Sequence, residues 1–193
     1  MLGLKLPTDP RWVNIVETNI AEILTDHAYC EQKAATNAIN MVIQFPEYPE
    51  LVDAMLALAQ EELQHFRQVH DKIRERGFAF GRERRDDYVW ELNQFIRKGR
   101  ERHIVLVDRL LFAAVVEARS CERFRILSEK ISDPDLRDFY RELMISEANH
   151  YTLFIGFARK YGQGEDVDKR WQEFLDYEAQ LIAKYGKKET MHG

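Results

Sequence analysis

The feature that most restricts what this chain can become is a polar interruption in an apolar helical seam. Leu136, Tyr140, Leu143, Glu147, His150, Phe154, Phe157 and Tyr161 follow one another at alternating steps of four and three, the inward stripe of a helix in a bundle. Glu147 and His150 therefore point inward. A carboxylate buried alone costs on the order of several kcal/mol even after relaxation, so it needs a partner of opposite charge, and a metal ion is the natural one. The construction recurs in Leu51, Met55, Leu58, Glu62, His65 and Val69. Before each Glu-x-x-His lies a long helical segment with one inward candidate glutamate, Glu31 in the first half and Glu117 in the second, at separations of 31 and 30 residues. Two helix pairs, each giving one glutamate and one Glu-x-x-His, supply the ligand set of a dinuclear carboxylate bundle.

The rest of the chain is consistent with that arrangement. Asp9 and Pro10 announce a first helix reaching about Gln44, with a bend allowed for, and Pro46 and Pro49 punctuate the turn. A second helix runs from Pro49 to about Arg76 and stops at Gly77. A connector with a short helix near 86–97 leads to a third helix over 101–130. Ser132, Asp133 and Pro134 start a fourth, which ends at Gly162, and a fifth covers about 165–185. No alternating strand pattern occurs. The expected fold is all-α: a ferritin-like four-helix bundle with a long crossover connector and an additional C-terminal helix, one domain over 1–193, with 187–193 a mobile tail.

At 193 residues and 45% hydrophobic content, the chain suffices for one domain with a developed core. Its start lacks the apolar run and cleavage site of a signal peptide, and no apolar run reaches the roughly 20 residues that cross a bilayer. A cytoplasmic protein without a membrane span is the expectation. Cys30 and Cys121 are too few for a disulfide scaffold and form no C-x-x-C pair, so both read as small buried residues.

Within the site, Glu61 competes with Glu62 for the inward position, and the histidine decides between them, because only Glu62 lies three residues from His65. His27, one turn before Glu31, is either a group supporting that ligand or a satisfied core histidine. His70, His103 and His192 have no matching spacing. Mixed carboxylate and imidazole ligation suits iron or manganese better than structural zinc, and two such ions reduced can deliver two electrons to dioxygen. Ala34, Ala35, Ala38, Ala113 and Ala114 either leave room for an organic group or are simply good helix formers.

Charge is unevenly spread. Residues 1–71 carry a net −7, whereas residues 72–103 hold ten Lys/Arg against six Asp/Glu. Arg82, Arg84, Arg85, Arg97, Lys98 and Arg100 form the centre of this basic stretch, interleaved with Phe78, Phe80, Tyr88, Trp90 and Phe95. Guanidinium for phosphate and aromatic rings for splayed bases suit an RNA loop. The plain alternative is a solvated face laced with Glu75, Glu83 and Glu101.

Four segments resemble the tRNA hydroxylases of the MiaE type: ILTDHAYCEQKAA (23–35), QEELQHFRQV (60–69), VDRLLFAAVVEARSCERF (107–124) and SEANHY (146–151). They cover all four core helices, and VEARSCERF is more specific than the ligand pattern alone. The resemblance implies a non-haem di-iron monooxygenase that hydroxylates the isopentenyl group of 2-methylthio-N6-isopentenyladenosine next to the anticodon of tRNA. It also implies Glu31, Glu62, His65, Glu117, Glu147 and His150 as ligands to two iron ions, dioxygen as co-substrate, and an external electron donor delivered by an electron-transfer reductase. The chain looks compact beside the longer enterobacterial type. Rival readings are a ferritin-like iron-oxidising or storage protein and another di-iron oxygenase such as a quinone hydroxylase. No oligomeric state is specified by these patterns.

Overall fold

The computed structural model describes residues 2–186, 188 and 190–192. These residues form seven helices and no strand: α1 (Trp12–Thr18), α2 (Ile20–Gln44), α3 (Pro49–Glu75), α4 (Asp87–Gln94), α5 (Arg102–Lys130), α6 (Pro134–Tyr161) and α7 (Val167–Tyr185). The expected first helix is thus two, parted at Asn19, whose φ of −135° and ψ of 38° leave helical geometry. Start signals act where chemistry allows. Asp133 accepts from the backbone N–H groups of Asp135 and Leu136, Asp86 from Val89, and Asp166 from Lys169, each satisfying helix-end donors. The last of these starts α7 at Val167, two residues later than expected. α3 ends as expected at Gly77, whose φ of +70° suits a residue without Cβ. Gly162 closes α6 for a different reason, since a Cβ there would lie 2.3 Å from Val167 Cγ2.

The helices gather into two compact units. In one, residues 18–85 with Thr190 and Met191, α2 and α3 pack on each other. Their buried stripes are Ala28, Ala35, Ala38 and Met41 on α2 and Leu51, Met55, Leu58 and Val69 on α3. Small side chains on α2 let the larger ones of α3 approach closely. The first half of the connector belongs here: Tyr29 donates to Gly81 O, and Phe80 stacks on Tyr29 and meets His70 and Phe66 edge-on.

The other unit holds residues 2–17, 86–186 and 188 with His192, and its core is the α5–α6 pair with α4 and α7 packed on α5. α5 is buried around most of its circumference, as expected of a helix with neighbours on several sides. The non-ligand residues of VEARSCERF explain themselves here. Arg119, fully buried, donates to Glu178, Glu122, Thr8 Oγ1 and Leu6 O. Glu122 in turn accepts from Thr8, and the Arg123 guanidinium lies 4.4 Å over the Trp12 ring while donating to Gly186 O. One turn and a half of α5 thereby ties down the N-terminal segment and α7.

One expectation about a helix seam is corrected. The inward seam of α6 holds to Phe154 but then passes through Ile155 and Ala158, while Phe157 and Tyr161 are half-buried and stack on each other. A straight helix drifts by about 20° per heptad against a 3.5-residue repeat, so a stripe that long must rotate. In the segment 187–193, the described residues make defined contacts. Thr190, Met191 and His192 are buried, Met191 N–H donates to Asp26 at 2.6 Å, and Lys188 pairs with Asp87; positions 187, 189 and 193 lie outside the described residues. No helix is long and apolar enough to cross a membrane among the described residues.

Candidate metal centre

Each unit carries three inward ligand candidates. On α2 and α3, Glu31, Glu62 and His65 are 5%, 1% and 6% exposed and offer ligand atoms within 4.8 Å of one another. His65 Nδ1 lies 3.2 Å from Glu62 Oε2 and 3.6 Å from Glu31 Oε2. The Glu61 side chain is half exposed, its Oε1 3.9 Å from His65 Nε2 on the far side of the ring. Helical spacing therefore resolves the Glu61–Glu62 choice as expected. His27, fully buried, shares a hydrogen bond of 2.6 Å with Glu31 Oε1, being one turn earlier on the same face. It is the group that holds the Glu31 carboxylate in place.

On α5 and α6, Glu117, Glu147 and His150 are likewise buried and within 4.8 Å of one another. His150 Nδ1 faces Glu147 Oε2 at 4.0 Å, and its Nε2 meets Ser146 Oγ at 3.4 Å. Both imidazoles thus turn Nδ1 toward the glutamate of their own helix, the consequence of the same three-residue spacing.

Electrostatics show what the α2–α3 cluster demands. Burial disfavours the charged form of His65, yet its hydrogen bonds to Glu31 and Glu62 push its pKa up to about 10. Burial would likewise raise Glu31, but His27 and His65 hold it below the usual carboxylate range. Two carboxylates this close favour a cation beside them, and a protonated His65 is one such charge. Oxygen-rich donors with imidazole fit iron or manganese.

Other sequence candidates separate. Cys121 donates to Met144 O and burial pushes its thiol up to about 11, so it is no nucleophile at neutral pH; Cys30 is buried and free of any disulfide. Ala35, Ala38, Ala113 and Ala114 are core residues. In the basic connector, Arg82, Arg85, Lys98 and Arg100 are exposed and Arg84 is half-buried, but Arg97 is committed internally, to Asp108 at 2.9 Å and Glu165 at 2.7 Å. Tyr88 is fully buried, and Phe95 stacks on Tyr177 and meets Phe174 edge-on. Of the interleaved aromatics, Trp90, Phe78 and Phe80 remain exposed.

His192, set aside for want of spacing, lies between Ser120 Oγ at 3.0 Å and Asp86 Oδ2 at 3.1 Å. The row has the composition of a hydrolase triad, but all three residues are buried and Asp86 also caps α4. It anchors the tail. No local pattern could have revealed it, because its members lie 34 and 72 residues apart.

The comparisons with known proteins agree with this geometry. The chain matches Protein 43 with aldehyde deformylating oxygenase activity from Synechococcus at 34% identity and a TM-score of 0.90, over 98% of this chain and 95% of that one. The class is therefore that of all-α, ferritin-like proteins with inward carboxylate–histidine clusters. Within it, residues 2–193 match the family model tRNA-(MS[2]IO[6]A)-hydroxylase (MiaE), and the chain belongs to that family. Two curated relatives carry the name tRNA 2-(methylsulfanyl)-N(6)-isopentenyladenosine(37) hydroxylase. One, from Pseudomonas putida, is 33% identical over 93% of this chain and 86% of its own length. The other, from Salmonella typhimurium, is 28% identical over 98% of this chain and 87% of its own. That alignment runs to 238 positions against a chain of 193 residues, so within the aligned span the Salmonella relative carries residues that this chain lacks.

Proposed function

We propose that this chain is a di-iron monooxygenase that hydroxylates the isopentenyl group of 2-methylsulfanyl-N6-isopentenyladenosine in tRNA, next to the anticodon. The observation that carries the reading is the family match over residues 2–193, joined to two buried Glu-x-x-His seams, each with its further glutamate. In this reading Glu31, Glu62, His65, Glu117, Glu147 and His150 are the ligands of two iron ions, and 1–193 is a single domain. Bound iron supplies the reductive activation of dioxygen. Overall, a terminal methyl, dioxygen, two electrons and two protons give a primary alcohol and water, the electrons coming from a reductase. The chain's own residues do the rest. His27 fixes Glu31, the apolar positions around the Glu-x-x-His pairs keep bulk water away, and Arg82, Arg84, Arg85, Lys98 and Arg100 hold tRNA phosphates in the cytoplasm.

A second reading follows from the Synechococcus protein, whose identity to this chain is 34%, namely oxidative removal of an aldehyde carbon. One experiment separates the two. Nucleosides from tRNA of cells with and without the gene are compared, and purified protein is offered a long-chain aldehyde. Loss of the hydroxylated nucleoside on deletion, with no deformylation, supports the tRNA reading. Unchanged nucleosides with conversion of the aldehyde would replace it.

A further inference from the structure

The outward face of α3 carries a row of uncharged amides beside exposed leucines, in a chain in which 32% of residues are charged. Gln60, Gln64 and Gln68, one turn apart, line a groove of about 420 Å³ with Ala57, Glu61 and His65. Leu56 and Leu63 beside it are 43% and 55% exposed. Exposed leucines and a row of uncharged amides are poor solvation chemistry for a helix that could carry Glu and Lys, and good chemistry for a ligand with both flat apolar and hydrogen-bonding surfaces.

His65 connects the groove to the metal ligands. Its Nδ1 faces Glu62 and Glu31, while its Nε2 faces Glu61 on the groove side. A molecule lying in the groove is thus one imidazole ring away from the carboxylates. The volume is within the range of small-molecule sites, and no lysine or arginine is among the lining residues, so phosphate is not what this surface reads.

We infer that the α3 groove is a base-reading strip, in which Gln60, Gln64 and Gln68 receive the purine edge of the substrate nucleoside and determine specificity for adenine. This rests on the hydroxylase reading. A glutamine amide offers one acceptor and two donors, and Gln pairs bidentately with adenine through N7 and the N6 amino group. In the proposed substrate, the methylsulfanyl group at C2 and the alkyl group on N6 flank the pyrimidine ring. The remaining N6–H with N7 is the edge left for such pairing. Leu56 and Leu63 supply apolar contact beside it, and the phosphates are left to the connector arginines.

The test measures binding of the free modified nucleoside to metal-free protein, and hydroxylation by the iron-loaded enzyme, for wild type, Gln60→Leu, Gln64→Leu and Gln68→Leu, with the 7-deaza nucleoside as second ligand. Wild type should bind the 7-deaza analogue about 3- to 10-fold more weakly, the worth of one hydrogen bond. At least one Gln→Leu variant should bind the parent nucleoside weakly by a similar factor and lose that discrimination, raising KM with little change in kcat. Gln64→Glu, which keeps the surface polar but cannot donate to N7, should behave like Gln64→Leu. Wild type that hydroxylates tRNA while all variants keep affinity and discrimination overturns the strip and leaves the function standing. Wild type that hydroxylates no tRNA overturns both. Variants that keep nucleoside binding but lose turnover with the reductase assign the face to a protein partner and overturn the strip.

Discussion

Glu61 and Glu62 are the same side chain one position apart, yet the first is half exposed and the second 1% exposed. A rotation of about 100° between successive residues does this, and it gives the two glutamates opposite expectations. Glu62→Ala and Glu117→Ala should each abolish stable iron loading, whereas Glu61→Ala should keep it, as read by iron-to-protein ratio after loading and desalting. Equal iron in Glu62→Ala and wild type would remove Glu62 from the site. His27→Ala, which frees the Glu31 carboxylate from its 2.6 Å hydrogen bond, should weaken iron affinity by roughly 10- to 100-fold without abolishing it, the usual cost of losing a group that orients a ligand.

Between elements, one buried polar junction is Asp108 of α5, which accepts from Arg170 of α7 at 2.8 Å and from Arg97 after α4 at 2.9 Å. Burial would raise the Asp108 pKa, but these arginines hold it below the ordinary carboxylate value. A depressed folded pKa contributes stability that is fully present above the unfolded value of about 3.9 and is lost as pH falls through the folded one. Asp108→Asn should therefore lose about 3–5 kcal/mol at pH 7 and show a shallower decline below pH 4, both measurable by urea unfolding. A variant as stable as wild type at pH 7 would count against the junction. This junction also marks the limit of what the sequence discloses. Seam positions such as Leu51, Met55, Leu58 and Val69 were legible because their burial follows from spacing alone, and the six ligand candidates inherited that legibility. Arg97 looked like a surface cation because its partners, Asp108 and Glu165, are set by tertiary packing. The break at Asn19, the rotation of the α6 seam after Phe154, and the anchoring of His192 by Ser120 and Asp86 have the same origin, interactions that no local period encodes.

For the molecule as a whole, the proposed function assigns chemistry and docking to different residues. The ligand candidates are buried, while Arg82 and Arg85 are exposed and Arg84 half-buried on the connector. Replacing these three arginines by glutamine should weaken tRNA binding and lower its log–log salt slope by roughly 0.7–0.9 for each phosphate contact removed. Turnover of the free nucleoside should stay near wild type. An unchanged slope would move the RNA surface off the connector. The central claim, that the chain inserts an oxygen atom from dioxygen into a tRNA-borne isopentenyl group, is tested most directly by isotope. Iron-loaded protein, an electron donor and tRNA bearing 2-methylsulfanyl-N6-isopentenyladenosine are incubated under 18-oxygen gas, and the nucleosides are then weighed by mass spectrometry. The account predicts a hydroxylated nucleoside carrying one heavy oxygen atom; a product whose oxygen comes from water, or iron oxidation with no product at all, would contradict it.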